Sequence, residues 1–249
     1  MTNALNVLIT AGGTIAPVDD VRVLTNRSTG RFAKSLAEAL LDSGANLTYI
    51  ATTPQTAGPL QESARTVGAL SDHLELRRNM VAQLARAWNQ QSQFRRIDLS
   101  HGTVSDYAEV LRRECLGRKW DLVMLAAAVS DYEPVAHQGK KSSDEEEWTL
   151  TLKRTPKIIR QVRDWVGTRC HIAGFKLTSG ASDSELTEIS AQSCDVNRVD
   201  WTIGNDQSSL NQGQHRVVLV GKDRKTEWFE PGDDLPARLV RHLLREIGI

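Results

Sequence analysis

The sequence predicts an α/β fold, a mostly parallel sheet flanked by helices. Residues 6–10 form a short β-branched run that ends at two glycines, which is typical of a buried strand. A helical stripe follows, and residues 46–52, NLTYIAT, have the composition of a second strand. Strand, helix and strand within about forty residues form a βαβ unit, whose right-handed crossover joins parallel strands. The prediction is therefore a Rossmann-like sheet.

The first helix is indicated by Phe32, Leu36 and Leu40, which recur every four residues and so share one face. We expect Ser28 or Thr29 to cap its start, because short hydroxyl side chains accept from free backbone N–H groups. Gly44 is expected to end it.

The remaining elements are predicted from the same kinds of pattern. A Pro/Gly/Thr-rich loop is expected over 53–66. Helices are expected over 69–92, 104–115, 156–165, 182–196 and 236–247. Strands are expected over 95–99, 121–129, 148–153, 170–175 and 200–203. Residues 216–220 and 226–229 flank a turn and predict a C-terminal β-hairpin.

Residues 135–147 are polar and end in an acidic run, so we predict that they form a mobile flap. The chain has no internal repeat and no clear linker. We therefore predict a single domain over 1–249, with the flap and the hairpin appended to it.

Composition excludes several classes of protein. The 249 residues carry 31 basic and 31 acidic side chains, so no strong field favours nucleic acid or an anionic membrane. No run of 18 apolar residues and no basic-then-apolar leader is present. Cys115, Cys170 and Cys194 are few and widely spaced, which indicates reduced thiols in a cytoplasmic protein. The histidines show no metal-ligand spacing.

Four polar clusters fall at the ends of predicted strands: 12–30, 126–132, 174–177 and 205–206. Ligands of open parallel sheets bind beyond the carboxyl ends of the strands. We therefore expect these four clusters to line one cleft.

The first cluster supports two interpretations. Gly12, Gly13 and Thr14 form either a simple tight turn or a cradle for an anion, and they match neither the dinucleotide fingerprint nor the P-loop. Arg22 is either a solvated loop residue or a bidentate hydrogen-bond donor to a phosphate or carboxylate. Asn26 is either a helix cap or an amide donor to a developing oxyanion.

The other clusters are equally open. Asp131 suits a turn, and it also suits a Mg²⁺ ion or a ligand hydroxyl or amine. Lys140 and its neighbour Lys141 are either solvated or closed over a phosphate. Phe175 is either core or the wall of a base pocket, and Asn205 has the same ambiguity.

Taken together, these stretches resemble a known family. ITAGGTIAPVDDVRVLTNRSTG is similar to the first signature of the phosphopantothenoylcysteine synthetases, also called phosphopantothenate–cysteine ligases, of coenzyme A biosynthesis, and AAAVSDY is similar to their second. GKKSS followed by LTLKRTPKII resembles their flap lysine and following strand. GFKL and IGND occupy the expected later positions.

The resemblance implies a homodimer whose substrates are 4′-phosphopantothenate, cysteine and CTP or ATP with Mg²⁺. It implies that Asn26 binds and polarises the acyl group with help from Arg22, and that Lys140 closes over the intermediate. Ser28, Thr29 and Gly30 would lie at the acyl substrate. The nucleotide would contact Gly12, Gly13, Thr14, Ala127, Asp131, Phe175 and Asn205.

Two departures from the family pattern keep an alternative open. Many relatives carry two lysines, four apart, that contact the triphosphate, and Gln192 and Val196 occupy those places here. Lys141 also replaces the usual flap isoleucine. A divergent nucleotide-binding paralogue or sensor therefore remains the second hypothesis. A Rossmann oxidoreductase is disfavoured, because the dinucleotide fingerprint and an acidic residue ending the second strand at Thr52 are both missing.

The chain begins at the synthetase signature, whereas many bacterial relatives carry an N-terminal flavin decarboxylase. We accordingly expect no flavin.

Overall fold

The computed structural model describes residues 4–53, 91–135, 139–142 and 146–248. These residues form an α/β fold, a mostly parallel sheet flanked by helices, as predicted. The strands are β1 Asn6–Ala11, β2 Ile15–Pro17, β3 Val23–Thr25, β4 Asn46–Ala51, β5 Phe94–Asp98, β6 Leu122–Leu125, β7 Tyr132–Pro134, β8 Leu152–Arg154, β9 His171–Thr178, β10 Trp201–Asp206, β11 Val217–Gly221 and β12 Thr226–Phe229. The α-helices are α1 Arg31–Asp42, α2 Val104–Gly117, α3 Ile159–Val166, α4 Asp183–Asn197, α5 Gln207–Asn211 and α6 Leu235–Ile247, and Gln91–Gln93 is a 3₁₀ turn.

The main sheet of the described residues has the order β12-β11-β10-β9-β6-β1-β4-β5. Strands β5, β4, β1, β6, β9 and β10 are parallel, and β11 and β12 add an antiparallel edge. Numbered along the chain, the six parallel strands follow the order 3-2-1-4-5-6 of a doubly wound sheet. The predicted C-terminal hairpin is confirmed, but it is not appended to the domain, because β11 pairs with β10 and extends the main sheet.

Burial explains why β1 and β6 are central. Five of the six residues of β1 and all four of β6 are buried, as expected for strands that are covered on both faces. One face packs against α1 and α6, and the other packs against α2, α3 and α4. Cys115, Cys170 and Cys194 are buried free thiols of the second layer. Burial raises the pKa of Cys115 and Cys170 to about 12.

Helix ends agree with the sequence signals in some places and not in others. Gly44 ends α1 in the left-handed conformation, with φ of 86°, as expected. The predicted Ser28 or Thr29 cap is wrong: α1 starts after Gly30, whose φ is 76°, and no side chain caps it. The helix expected from residue 156 begins three residues later at Ile159, because the segment after Pro156 first forms a turn.

Three further differences concern strands. The polar segment after Gly13 is a two-stranded ribbon of β2 and β3, not a loop. The strand expected over 148–153 is shorter and lies at 152–154, where it pairs with β7 outside the main sheet. β9 and β10 each extend three residues beyond the predicted ends. The expected loop over 53–66 and helix over 69–92 lie almost wholly outside the described residues, as does much of the flap.

No helix in the described part of the chain is long and apolar enough to cross a membrane.

Candidate functional site

The polar clusters meet at the carboxyl edge of the sheet. β1 and β6 are neighbours there, and the chain winds outward from them in opposite directions, so they flank the topological switch point. Beyond the ends of these strands, Gly13 still pairs with Ala128. Lys176 of β9 is in register with Gly204 of β10. The four clusters therefore lie at one edge of the sheet, and the prediction that they line one cleft stays a prediction.

The glycine turn is tied to the segment after β6. The Ala128 N–H donates to the Gly12 carbonyl at 2.7 Å, and the Thr14 N–H donates to the Ala128 carbonyl at 3.1 Å. Thr14 Oγ1 also accepts from the Ser130 N–H at 2.9 Å. Thr14 is fully buried. Its backbone and hydroxyl groups thus hold the two loops together, and its predicted contact with nucleotide stays a prediction.

The backbone of Asn26 passes so close to position 13 that only glycine fits there. A Cβ at Gly13 would lie 2.7 Å from the Asn26 carbonyl oxygen and 3.2 Å from the Asn26 Cβ. Only a residue without a side chain lets the Asn26 backbone pass this close to the end of β1.

The Asn26 side chain reaches across the switch point between β1 and β6. Its Nδ2 donates to the Ala128 carbonyl at 2.8 Å, which links the end of the β2–β3 ribbon to the end of β6. The residue is partly buried and is not the cap of α1. A carboxamide NH₂ group has two N–H donors, so one can hold the side chain in place while the other points elsewhere.

Arg22 lies in a cluster that also contains Asp19, Lys141 and Trp148. Its Nη1 is 3.4 Å from Asp19 Oδ2, and its Nη2 donates to the Lys141 carbonyl at 3.3 Å. Its guanidinium carbon lies 4.9 Å from the centre of the Trp148 ring, within cation–π distance. Lys140, the predicted flap lysine, is exposed and immediately precedes this contact.

The segment after β6 places the next two candidates. The Ala127 N–H donates to Thr10 Oγ1 at 3.2 Å, so its backbone is anchored to β1. The exposed Asp131 carboxylate forms an ion pair with Lys157, a residue that no sequence pattern marks as functional. A ligand that bound Asp131 would have to share it with this ammonium.

An aromatic cluster lies beside β9. The Phe32 ring is 6.2 Å from the Phe175 ring and 4.3 Å from the His215 ring, both edge-to-face. His215 Nε2 is buried without a hydrogen-bond partner, and burial lowers the pKa of this imidazole. Phe32 and His215 were not predicted as site residues, because an apolar stripe and a lone histidine before a strand give no distinctive pattern.

Asn205 and Asp206 have different roles. Asn205 is partly buried, and its carbonyl accepts from Thr178 Oγ1 at 3.4 Å. The Asp206 carboxylate accepts from Thr178 Oγ1 at 2.8 Å and from the backbone of Gly180 and Ala181. Burial alone would raise the pKa of Asp206, but these donors outweigh it and lower the pKa well below the usual range. Asp206 thus fixes the loop after β9.

Ser28 and Thr29 are exposed between the ribbon and α1, whereas Gly30 is buried. They follow Asn26 directly, so the structure brings them to the carboxyl edge. Their predicted contact with substrate stays a prediction.

Gln192 and Val196 lie elsewhere. α4 starts at the carboxyl edge after β9 and runs back to the start of β10, so these exposed residues occupy its distant half. At a rise of 1.5 Å per residue, they are roughly 14 Å and 20 Å from the first residue of the helix. Gln192 donates to Glu188 within the same helix. The expectation that these positions replace triphosphate contacts stays a prediction, and their place on the distant half of α4 weighs against it.

The comparisons with known proteins agree with this geometry. A model of the DNA/pantothenate metabolism flavoprotein C-terminal domain family matches residues 2–114 and 103–246. The Thermococcus kodakarensis coenzyme A biosynthesis bifunctional protein CoaBC is 29% identical over 217 residues, which are 87% of this chain and 45% of that protein. Human phosphopantothenate–cysteine ligase is 27% identical over 272 residues, covering 95% of this chain and 84% of that protein. The chain thus spans about half the length of the bifunctional relatives.

Solved structures show the same fold. The DNA/pantothenate metabolism flavoprotein from Streptococcus pneumoniae has a TM-score of 0.72 at 25% identity and covers 98% of both chains. A Cab2 variant in complex with phosphopantothenate-cysteine has a TM-score of 0.79 at 21% identity over 98% of this chain and 86% of that chain. Since the family model matches nearly the whole sequence, the chain belongs to the family of the DNA/pantothenate metabolism flavoprotein C-terminal domain.

Proposed function

We propose that this protein joins 4′-phosphopantothenate to cysteine, at the expense of CTP or ATP, in the cytoplasm. Its relatives include a human phosphopantothenate–cysteine ligase. The observation that supports the proposal most directly is Asn26, whose side chain is anchored across the β1–β6 switch point. This is where an open parallel sheet binds its ligand.

The chemistry requires an activated acid, because an amine that attacks a free carboxylate would have to expel oxide. The substrate carboxylate attacks the α-phosphorus of the nucleotide, and pyrophosphate leaves. The amine of cysteine then attacks the acyl carbon, and the nucleoside monophosphate leaves with the bonding electrons. The protein holds two anions together, neutralises their charge and excludes water from the mixed anhydride.

Asn26 is suited to the acyl group. One N–H of its carboxamide is held by the Ala128 carbonyl, which fixes the orientation of the side chain. The second N–H donates to the acyl oxygen, where negative charge develops during attack. Because the anchor is already formed, little reorganisation is needed at the moment of reaction.

Arg22 and Lys140 supply positive charge for the phosphate groups. The guanidinium of Arg22 is held by Asp19, the Lys141 carbonyl and the Trp148 ring. Lys140 is exposed next to these contacts, and its ammonium stabilises phosphate charge in the intermediate. On the nucleotide side, Ala127 and Asp131 line the phosphates and ribose, and Phe175 borders the base.

Asp131 is a carboxylate that could hold Mg²⁺ arriving with the nucleotide, and the ion would share it with the Lys157 ammonium. Mg²⁺ usually keeps several waters and is held by one or two carboxylates and by substrate phosphates. No three His, Cys, Asp or Glu side chains of the described residues form a metal cage. Asp131 is the candidate protein ligand, and the ion would neutralise the phosphates during pyrophosphate release.

An oxidoreductase remains disfavoured despite the strand order. In a dinucleotide-binding turn the helix follows the glycines directly and its N-terminus contacts the pyrophosphate. Here the β2–β3 ribbon lies between Gly13 and α1, which begins at Arg31. The proposed reaction needs no flavin.

We also propose a homodimer. Val21, Val23 and Leu24 are exposed on the β2–β3 ribbon, and Trp148 and Leu152 are exposed on and beside the β7–β8 ribbon. The two ribbons contact each other through β2 and β7. Exposed apolar side chains on two neighbouring ribbons favour association with a second copy. Analytical ultracentrifugation tests this: Leu24→Arg should yield monomer, and a monomeric wild-type protein would contradict it.

Pyrophosphate release tests the function. Mixing the protein with Mg²⁺, phosphopantothenate and either CTP or ATP should release pyrophosphate before cysteine is added, and cysteine should then give the amide. Binding of nucleotide without release, with both nucleotides, would instead support the sensor hypothesis.

A further inference from the structure

Asp19 is a buried carboxylate that the proposed chemistry does not use. Its side chain is fully shielded from solvent. Oδ1 accepts from the Val21 N–H at 3.0 Å and from the Arg22 N–H at 2.8 Å. Oδ2 accepts from the Lys141 N–H at 3.2 Å and lies 3.4 Å from Arg22 Nη1.

The carboxylate is ionised in this setting. Burial by itself raises the pKa of Asp19, but the three backbone N–H donors and the Arg22 charge outweigh burial and lower the pKa. A buried charge is retained only where it is paired and hydrogen-bonded. Oδ1 thus holds the ribbon turn, and Oδ2 holds the 139–142 segment and the Arg22 guanidinium.

Asp19 and Arg22 together hold both backbone groups of Lys141. Asp19 accepts from its N–H, and Arg22 Nη2 donates to its carbonyl at 3.3 Å. These contacts join segments about 120 residues apart in sequence. They involve only the backbone of Lys141, so they tolerate a lysine where relatives have isoleucine.

We propose that Asp19 is a positioning residue for the ligase reaction: it fixes the guanidinium of Arg22 and the 139–142 segment, and thereby places Lys140 at the reacting phosphates. Asp19 itself touches neither substrate nor nucleotide. This inference rests on the proposed function. It assigns the β2–β3 ribbon a second task besides presenting Asn26.

Asp19→Asn separates the two halves of the contact. The amide oxygen still accepts from Val21 and Arg22, so the ribbon turn is kept. The amide NH₂ replaces Oδ2 and faces the Lys141 N–H and the Arg22 guanidinium, which are donors. The 139–142 segment thus loses its contact with Asp19. Asp20→Asn is the matched control, because it removes the same charge from the adjacent exposed residue.

The first measurement is steady-state pyrophosphate release by the full chain. For Asp19→Asn we expect kcat to fall roughly 10- to 100-fold, as for a misplaced catalytic group, with KM for phosphopantothenate within about twofold of wild type. Asp20→Asn should match wild type. Because Asp19 acts through Lys140 and Arg22, adding Asp19→Asn to a protein that already carries Lys140→Ala and Arg22→Ala should slow it no further. The proposal would be overturned if Asp19→Asn lowered kcat by the same factor with and without the other substitutions. It would also be overturned if folded Asp19→Asn kept the wild-type kcat.

The second measurement does not depend on activity. Limited trypsin digestion, followed by mass spectrometry, reports cleavage after Lys140 and Lys141. Cleavage there should be faster in Asp19→Asn than in wild type or Asp20→Asn, whereas thermal melts should show all three proteins folded. If trypsin cleaves Asp19→Asn faster but none of the three proteins releases pyrophosphate, the ligase function is refuted. The contact between Asp19 and the 139–142 segment is then still supported. Equal cleavage in all three would refute the positioning role.

Discussion

Gly13→Ala tests whether the close approach of Asn26 to the end of β1 matters for activity. The added Cβ would lie 2.7 Å from the Asn26 carbonyl oxygen, whereas ordinary contacts begin at 3.4 Å. The ribbon must therefore shift by about 0.7 Å, and shifts forced by overpacking cost about 1–3 kcal/mol of stability. The same shift moves the Asn26 carboxamide. Since a misplacement of ~1 Å can cost about 10²-fold in rate, we expect a loss of roughly 10- to 100-fold.

The assay is pyrophosphate release with saturating nucleotide, run beside urea unfolding of the same samples. Gly117→Ala is the matched control. Gly117 ends α2 without a left-handed φ, and an added Cβ there meets nothing within 4 Å. This control should keep wild-type activity and be equally or slightly more stable, by about 0.4–1 kcal/mol, because alanine restricts the unfolded chain.

If the Gly13→Ala protein is destabilised but fully active, the close approach of the Asn26 backbone to Gly13 does not matter for catalysis. A protein that is neither destabilised nor slowed would show that the ribbon adjusts without cost.

Three further predictions follow from the site. Asn26→Asp should lose about 10²–10³-fold in rate, since an oxyanion donor is replaced by a repelling carboxylate that also cannot donate to the Ala128 carbonyl. Wild-type turnover would contradict the role of Asn26. Gln192→Lys should leave triphosphate affinity within about twofold in titration calorimetry, because a helix rise of 1.5 Å per residue puts position 192 roughly 14 Å from the start of α4 at the carboxyl edge. Tighter triphosphate binding by the variant at low salt would show that α4 does reach the phosphates. Burial lowers the pKa of His215 below its ordinary 6.5, so the unfolded chain binds this proton more readily and stability should fall as the pH drops below 6.5. Urea unfolding between about pH 7 and pH 5 should show a weaker pH dependence in His215→Gln, and equal slopes would exclude this contribution.

The sheet was largely predictable because its strands are buried on both faces. Continuous apolar runs such as residues 7–9 and 122–125 give a clear signal, and the glycine stops mark their ends. The ribbon of β2 and β3 was not predictable. Its residues 23–25 are all exposed, so no hydrophobic alternation distinguishes the strand from a loop. Helix starts without a side-chain cap, such as that of α1 after Gly30, likewise leave no signal.

By itself, the sequence determined the fold class, the family and the cluster of residues at the carboxyl edge. Local patterning and two long motifs contain that information, because a strand end or a glycine turn is encoded by adjacent residues. Only the tertiary structure decided which of these residues meet: Asn26 with the Ala128 carbonyl, and Asp19 with the backbone of Lys141. It also placed Gln192 on the half of α4 away from the carboxyl edge, since the direction of α4 follows from the parallel pairing of β9 and β10. Contacts between segments about 100 residues apart depend on the strand order of the sheet, which no pattern of adjacent residues predicts.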